Sequence, residues 1–375
     1  MIYFIKTIQK YLTRSYCLIF LSCLLNHSFG QVKKDSLKKI KYLVVPVVFK
    51  TPETGWAGGV SGSVSFKSTT RTDTNTRTSV IQLLGIYTQR QQNVQAIDAT
   101  IYFPKEKYIL TQQLSHSRFP ENFWGIGPTT KNDYVQRYSF EQFLISSQLK
   151  RKIKGHFFAG LITDFQYVFD IHSNTDNGIG VFDTTNFNGK KTGNVLGIGL
   201  SGNYDTRNST FWPTRGVFFQ ASFTTFNKEF LSSYSFNRYI LDLRYYRKIL
   251  KNHVIAFQLF NYTTVGSTPI RNLGVLGGAN NLRGFYQGRY RDKAIYSAIA
   301  EYRTFIYWRI SACVFAGVGD VYSKISNINF STMKASFGGG IRIALLKKEK
   351  LNLRLDYGYA DNYNQGFYFT IAECF

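Results

Sequence analysis

The sequence predicts an all-β chain, a transmembrane antiparallel β-barrel of about 16 strands with one loop folded inward. Three observations lead there. Short segments alternate apolar and polar residues with a period of two. Phe, Tyr and Trp make up 17% of the residues, and many fall at segment ends, where interfacial girdles belong. The polar faces also carry charges, which a dry sandwich core could hold only at high cost.

From the N-terminus, the first 30 residues stand apart. Lys6, Lys10 and Arg14 make a basic start, Tyr16 to Leu25 form a short apolar core, and Ser28-Phe29-Gly30 ends in small residues. That is the layout of a cleaved secretory signal peptide, too short to span a bilayer. A lipoprotein reading on Cys23 fits the preceding Phe20-Leu21-Ser22 poorly. Residues 31–43 form a short basic segment with no room for a folded domain, and 44–375 are assigned to the barrel.

No apolar run in the mature part is long enough for a helical span. In KLNLRLDYGYA, Leu351, Leu353, Leu355, Tyr357 and Tyr359 share one strand face, and Asn352, Arg354, Asp356 and Gly358 share the other. Tyr239, Leu241, Leu243 and Tyr245 likewise oppose Arg238, Asp242 and Arg244, with Ile240 an exception. The closing segment alternates through Phe367, Phe369 and Ile371. In lipid every backbone N–H and C=O must be paired, so such a sheet has to close on itself. Roughly 20 residues per strand and connection give about 16 strands. Connections such as 67–78 and 172–180 are long and polar, whereas 347–350 is tight, and the longer ones are expected outside the cell.

Lys and Arg number 46 against 22 Asp and Glu, for a net charge of +24. An exported chain does not meet nucleic acid, so the expected counter-charges are outer-membrane lipid phosphates and lipopolysaccharide. A merely solvated basic surface fits the charge equally well. Only Cys313 and Cys374 remain after the leader, so no disulfide framework is expected, although one bridge stays open.

No catalytic constellation is present. Gly197 to Gly202 spell GxGxxG, but no helix start follows to hold a pyrophosphate. The histidines show no metal-ligand spacing, and neither a GxSxG elbow nor an acidic pair stands out. The expectation is a protein that is not an enzyme and needs no cofactor and no metal.

Several segments taken in order do carry a signal: Pro46 to Gly59, Phe119 to Gly127, Tyr204 to Gly216 (with Asp205, Arg207, Pro213 and Gly216), Gly277 to Asp292, Ala300 to Arg303, Phe315 to Tyr322 and Arg354 to Gly358 (with Arg354 and Asp356). Together they resemble the bacterial surface antigen family, the BamA/TamA type of outer-membrane barrel. The resemblance implies that the Arg283-Gly284-Phe285 loop folds into the lumen and that Arg283 contacts acidic groups on the inner wall. Glu301 matches the first of these. Gly317 stands where a second acid is expected, and Asp320 is the candidate to replace it. Phe375 resembles the aromatic C-terminal insertion signal of such barrels, with Glu373 in an apolar phase as a misfit.

The family inserts or translocates proteins at the outer membrane. The resemblance therefore implies an integral outer-membrane barrel without POTRA domains. It would act on unfolded outer-membrane proteins, with a separate POTRA-bearing or chaperone partner in the periplasm. The alternative is a channel or surface-exposed structural barrel without insertase activity.

Overall fold

Alternation of side chains along each strand gives the sheet two unlike surfaces, and the sheet curls so that the polar one is enclosed. The computed structural model describes residues 40–68, 76–174, 180–346, 351–361, 364–371 and 373–375. The expected signal peptide, with Cys23, lies outside the described residues, as do 69–75 and 175–179 of the two long connections and the whole of 347–350. The barrel strands are β1 (Lys41–Thr51), β2 (Gly55–Phe66), β3 (Ser79–Thr88), β4 (Asn93–Tyr102) and β5 (Tyr108–Arg118). There follow β6 (Gln136–Lys154), β7 (Phe157–Ser173), β8 (Gly193–Asp205), β9 (Gly216–Phe226), β10 (Phe236–Leu250) and β11 (His253–Gly266). The last are β12 (Ala294–Tyr307), β13 (Ile310–Tyr322), β14 (Lys334–Leu346), β15 (Leu351–Asp361) and β16 (Asn364–Ile371). About 16 strands were expected, and among the described residues sixteen form the barrel wall; β1 starts at Lys41, ahead of the expected boundary at 44.

Each strand pairs antiparallel with the next in sequence. Among the described residues no ladder joins β16 back to β1, so the cylinder is nearly closed, with a seam. Pro46 in β1 suits such an edge, because proline has no N–H to give to a ladder.

The outer surface carries exposed Phe143, Leu161, Leu200, Leu241, Phe257 and Val314 at alternating positions. The inner surface is charged: Arg238 meets Asp164 at 2.5 Å, and Arg244 meets Asp242 at 2.5 Å. Ile240 faces inward between them by alternation, the exception its sequence suggested. The GxGxxG residues lie within β8, which runs on to Asp205 without a helix.

Successive connections alternate between the two ends of the barrel. The end where β1 starts and β16 ends carries connections 67–78, 103–107, 155–156, 206–215, 251–252, 308–309 and 347–350. The other end carries the longest ones, 119–135, 174–192 and 267–293. Short turns mark the periplasmic side. This corrects one expectation: connection 67–78 is long yet shares the turn end with 347–350, because strand parity, and not loop length, decides the side. A cysteine at Asn174 is therefore expected to react with an impermeant maleimide on intact cells, and one at Lys67 only after the outer membrane is opened. Labelling of both on intact cells would refute this orientation.

Candidate functional site

The connection 267–293 leaves β11 and drops into the lumen, where a short hairpin, Gly274–Leu276 with Tyr290–Asp292, gives it shape. Apolar contacts seat it: Leu276, Leu282 and Phe285 are buried with Ile295 and Ile299 of the wall. Gly284 has φ of 116°, a conformation that side-chain-bearing residues rarely adopt. Its N–H donates to the Tyr368 hydroxyl of β16 at 3.0 Å, and that hydroxyl donates to the Phe285 carbonyl at 3.2 Å. The wall makes room as well: a Cβ at Gly358 would lie 2.5 Å from the Arg283 carbonyl carbon.

Arg283 is 1% exposed and bridges two carboxylates. One terminal nitrogen donates to Glu301, the other to Asp356 Oδ2 at 2.6 Å, and the guanidinium carbon lies 3.5 Å from the centre of the Phe315 ring. Opposite charge and a planar donor fork make each of these a strong, directional bond. Phe315 adds a π face to the cation.

Glu301 is thus the wall acid expected, and the second acid is Asp356, not Asp320. Asp320 sits about 16 Å beyond Phe315 along β13 at the rise of an extended strand. There it accepts from Lys334 Nζ at 2.6 Å, Thr332 Oγ1 at 2.5 Å and its own neighbour Val321 N at 2.8 Å. Gly317 stays small because Leu282 occupies the space; a Cβ there would lie 2.7 Å from Leu282 Cδ2. Arg354 also grips the loop, donating to the Ala279 carbonyl at 2.9 Å and to Asn280 Oδ1 at 3.0 Å.

The bonds continue past the loop. Glu301 takes Arg303 at 2.7 Å, and Asp356 takes Arg342, which holds Glu373 at 3.0 Å. Arg303 also donates to the Phe375 carbonyl at 3.3 Å, so both ends of this charge chain finish on the last three residues. Glu373, the misfit in the closing alternation, is an inward ligand of Arg342 and Asn352. Phe375 is buried inside the barrel, not on the lipid face. Insertion signals are read before folding, so this placement leaves that expectation untouched. Trp212, Tyr246 and Phe375 surround the Arg303 guanidinium at 5.4, 5.8 and 5.4 Å. Trp212 comes from the turn holding Asp205, Arg207 and Pro213. There Asp205 accepts from Arg207 at 2.9 Å and from Arg77 at 2.6 Å, Pro213 is buried, and Gly216 turns with φ of 108°. Cys313 and Cys374 are both buried free thiols.

A family model described as the Omp85 superfamily domain matches residues 60–375. The chain belongs to the Omp85 superfamily. Solved structures agree on the fold. BamA from Haemophilus ducreyi, solved without POTRA domains 1-3, matches with a TM-score of 0.56 and 13% identity over 89% of this chain and 70% of that one. CdiB from Escherichia coli matches with 0.55 and 12% over 88% of this chain and 62% of its own, and CdiB from Acinetobacter baumannii with 0.52 and 10% over 89% and 65%. The chain thus spans less than two thirds of either CdiB. A search of curated proteins returned no match. An Omp85 barrel is integral to the outer membrane, and this one has the charged lumen and apolar exterior that location requires.

The Omp85 barrel holds its inward loop at further points that its sequence did not reveal. Arg291 donates to Glu121 and to the Tyr138 hydroxyl, both at 3.2 Å, and Arg271 joins Glu121 at 2.8 Å. Arg289 binds the Thr130 hydroxyl at 2.6 Å and Asn132 Oδ1 at 2.5 Å. The arginine alternation in Gly288 to Arg291 was the available signal. Nearer the seam, Glu53 in the turn after β1 accepts the Gln287 N–H at 2.7 Å. With Tyr368 on β16, the loop therefore touches both sides of the seam from within. Burial pushes the Glu53 carboxyl above its ordinary range, against the opposing bond from Gln287.

Truncating one partner of a buried ion pair costs about 3–5 kcal/mol. Arg283→Ala is expected to lose that order of stability, seen as protease cleavage within 277–293 and a lower temperature for gel-shift unfolding. Arg283→Lys, a single point donor facing two acids, should fall between. Protection equal to the native chain would remove the clamp.

Glu53 gives a pH test. A carboxyl raised on folding favours the protonated folded form, so stability is fullest below the ordinary value of about 4.3 and declines as pH rises through the raised one. Loop protection should weaken across that window. Glu53→Gln, which keeps an acceptor for Gln287, should flatten the profile; an unchanged slope would exclude Glu53 as its source.

Proposed function

We propose that this barrel takes part in inserting or translocating proteins at the outer membrane, using the β1 edge as a template for an incoming strand. The observation that carries this reading is the seam. β1 offers an unladdered edge, with Tyr42 and Val44 exposed at 72% and 71%. β16 stops at Ile371, and its continuation is pulled inside by Arg342 and Arg303. An exposed strand edge pairs readily with another chain, and β-augmentation supplies affinity through main-chain bonds without regard to most side chains. No covalent step is needed, so the reading requires no nucleophile or cofactor. Unfolded outer-membrane proteins are the substrates on this reading, and a POTRA-bearing or chaperone protein in the periplasm would deliver them.

A channel would need an open bore. Here the clamped loop and, nearer the turn end, the Trp212–Tyr246–Phe375 cage both project into the lumen, which favours the template reading over a steady wide pore.

The seam can be locked where Pro52 lies against Gly366, since a Cβ on Gly366 would lie 2.6 Å from Pro52 Cγ. Pro52→Cys with Gly366→Cys, oxidised, is expected to fail to restore outer-membrane protein levels after depletion of the native chain, and to succeed once reduced. Full rescue by the oxidised form, or unchanged levels of every other barrel on depletion, would overturn the proposal in favour of a channel or structural role.

A further inference from the structure

The turn end of the barrel carries a basic arc that the lumen network does not use. On the outer face of β6, exposed Leu149 is followed by Arg151, and exposed Ile153 comes next in the bulge where the ladder to β7 shifts register. On β10 the same face carries Tyr245 and Arg247, and exposed Ile249 again sits in a bulge, between Lys248 and Leu250. Each cation thus emerges where the apolar band ends, with an exposed isoleucine two positions further along the chain. Lys154, Lys248 and Lys251 extend the charge along the rim, all exposed. Neighbouring turns are stitched together: Lys152 N donates to the Lys107 carbonyl at 2.9 Å, Asp205 N to His156 at 3.1 Å, and Phe305 N to Asn252 at 3.0 Å. The backbone beneath each half of the arc, around Arg151 and Lys154 and around Arg247 to Lys251, is thus tied to its neighbours.

Its charge is uncompensated. Arg151, Lys154, Arg247, Lys248 and Lys251 form no ion pair among the described residues. The described carboxylates of this end are committed elsewhere, Glu106 to Arg77, Asp205 to Arg77 and Arg207, Glu301 and Glu373 to the lumen arginines. Tyr307 and Trp308, exposed at 75% and 62%, sit at an adjoining turn, at the level aromatic belts occupy. In the ring of sixteen strands, β6 to β11 lie across from the β1–β16 seam.

We propose that this arc binds the phosphate head groups of anionic phospholipids in the periplasmic leaflet, holding the barrel by the wall opposite its seam. Cations placed directly below an apolar band meet head groups, whereas a soluble acidic protein would have no use for the flanking Ile153 and Ile249. The proposal holds for any task the barrel performs and does not rest on the seam reading.

The test uses the full chain in phosphatidylcholine vesicles containing trace spin-labelled phosphatidylglycerol or phosphatidylcholine, with the motionally restricted fraction measured for each. The expected result is at least about a fivefold preference for phosphatidylglycerol, the order that one or two near-surface cations supply, falling sharply in about 1 M salt. In R151Q/K154Q/R247Q/K248Q the preference should approach unity while heat-resistant gel migration stays native. If that variant fails to fold, K154Q/K251Q, confined to the rim, should still halve the preference. Equal restriction of the two lipids, or a preference that survives substitution, overturns the proposal. So does absence of lipid preference together with rim-dependent capture of an acidic periplasmic protein, which would make a protein the occupant.

Discussion

One guanidinium between two carboxylates organises the inside of this barrel. Arg283 takes Glu301 with one nitrogen and Asp356 with the other. It can do so because its donors diverge in a plane, a geometry a lysine ammonium lacks. The three groups are buried, so their separation from water is costly unless every charge is matched. Matching spreads outward, to Arg303 on one side and to Arg342 on the other, and ends at Phe375 and Glu373. A loop, three wall strands and the chain terminus thus depend on one another. Removal of Arg283 would leave Glu301 with Arg303 alone and Asp356 with Arg342 as its closest cation, so the loss of one member thins the charge matching of its neighbours.

The same network accounts for the unequal state of the seam. At the loop end, Gln287 and Gly284 hold Glu53 and Tyr368, one from each flank. At the turn end the tail bends inward, and the edge of β1 is left without a partner strand. In a bilayer an unpaired backbone donor costs several kcal/mol, so a barrel tolerates such an edge only where it is short or blunted. Pro46 removes one donor from it, and the inward tail removes the competing strand.

How much of this was legible in the sequence follows from how far period two reaches. Within one strand it is dependable: Arg354 and Asp356 face inward and Tyr357 outward, as their alternation requires. It says nothing about register between strands. Asp356 stands across from Gly340, beside Arg342, only because of the β14–β15 ladder, which no local pattern reveals; the family resemblance pointed instead to the Gly317 position and so to Asp320. It also ends where a strand ends. Glu373 keeps the phase of Phe367 and Phe369 on paper, yet the chain has left β16 by then and its carboxylate turns to Arg342. Glu121 and Arg291, remote in sequence, meet through the fold of two long loops, for which no local pattern exists.

A barrel whose loop end is latched and whose turn end is not has a direction built into it. A strand arriving from the turn side would meet the β1 edge where no ladder has to be broken first. Each main-chain bond it formed would repay desolvation already spent on that edge. Progress toward the loop end would then meet the Glu53 and Tyr368 contacts, which are neutral or singly charged bonds worth about 1–3 kcal/mol each. The Arg283 bridges are stronger and lie on the wall rather than across the seam. On the proposed reading the seam would yield while the clamp holds, and the loop would stay in the lumen as the edge changed partner. Separating the weak contacts from the strong ones in this way would let a membrane barrel open its wall without opening a pore.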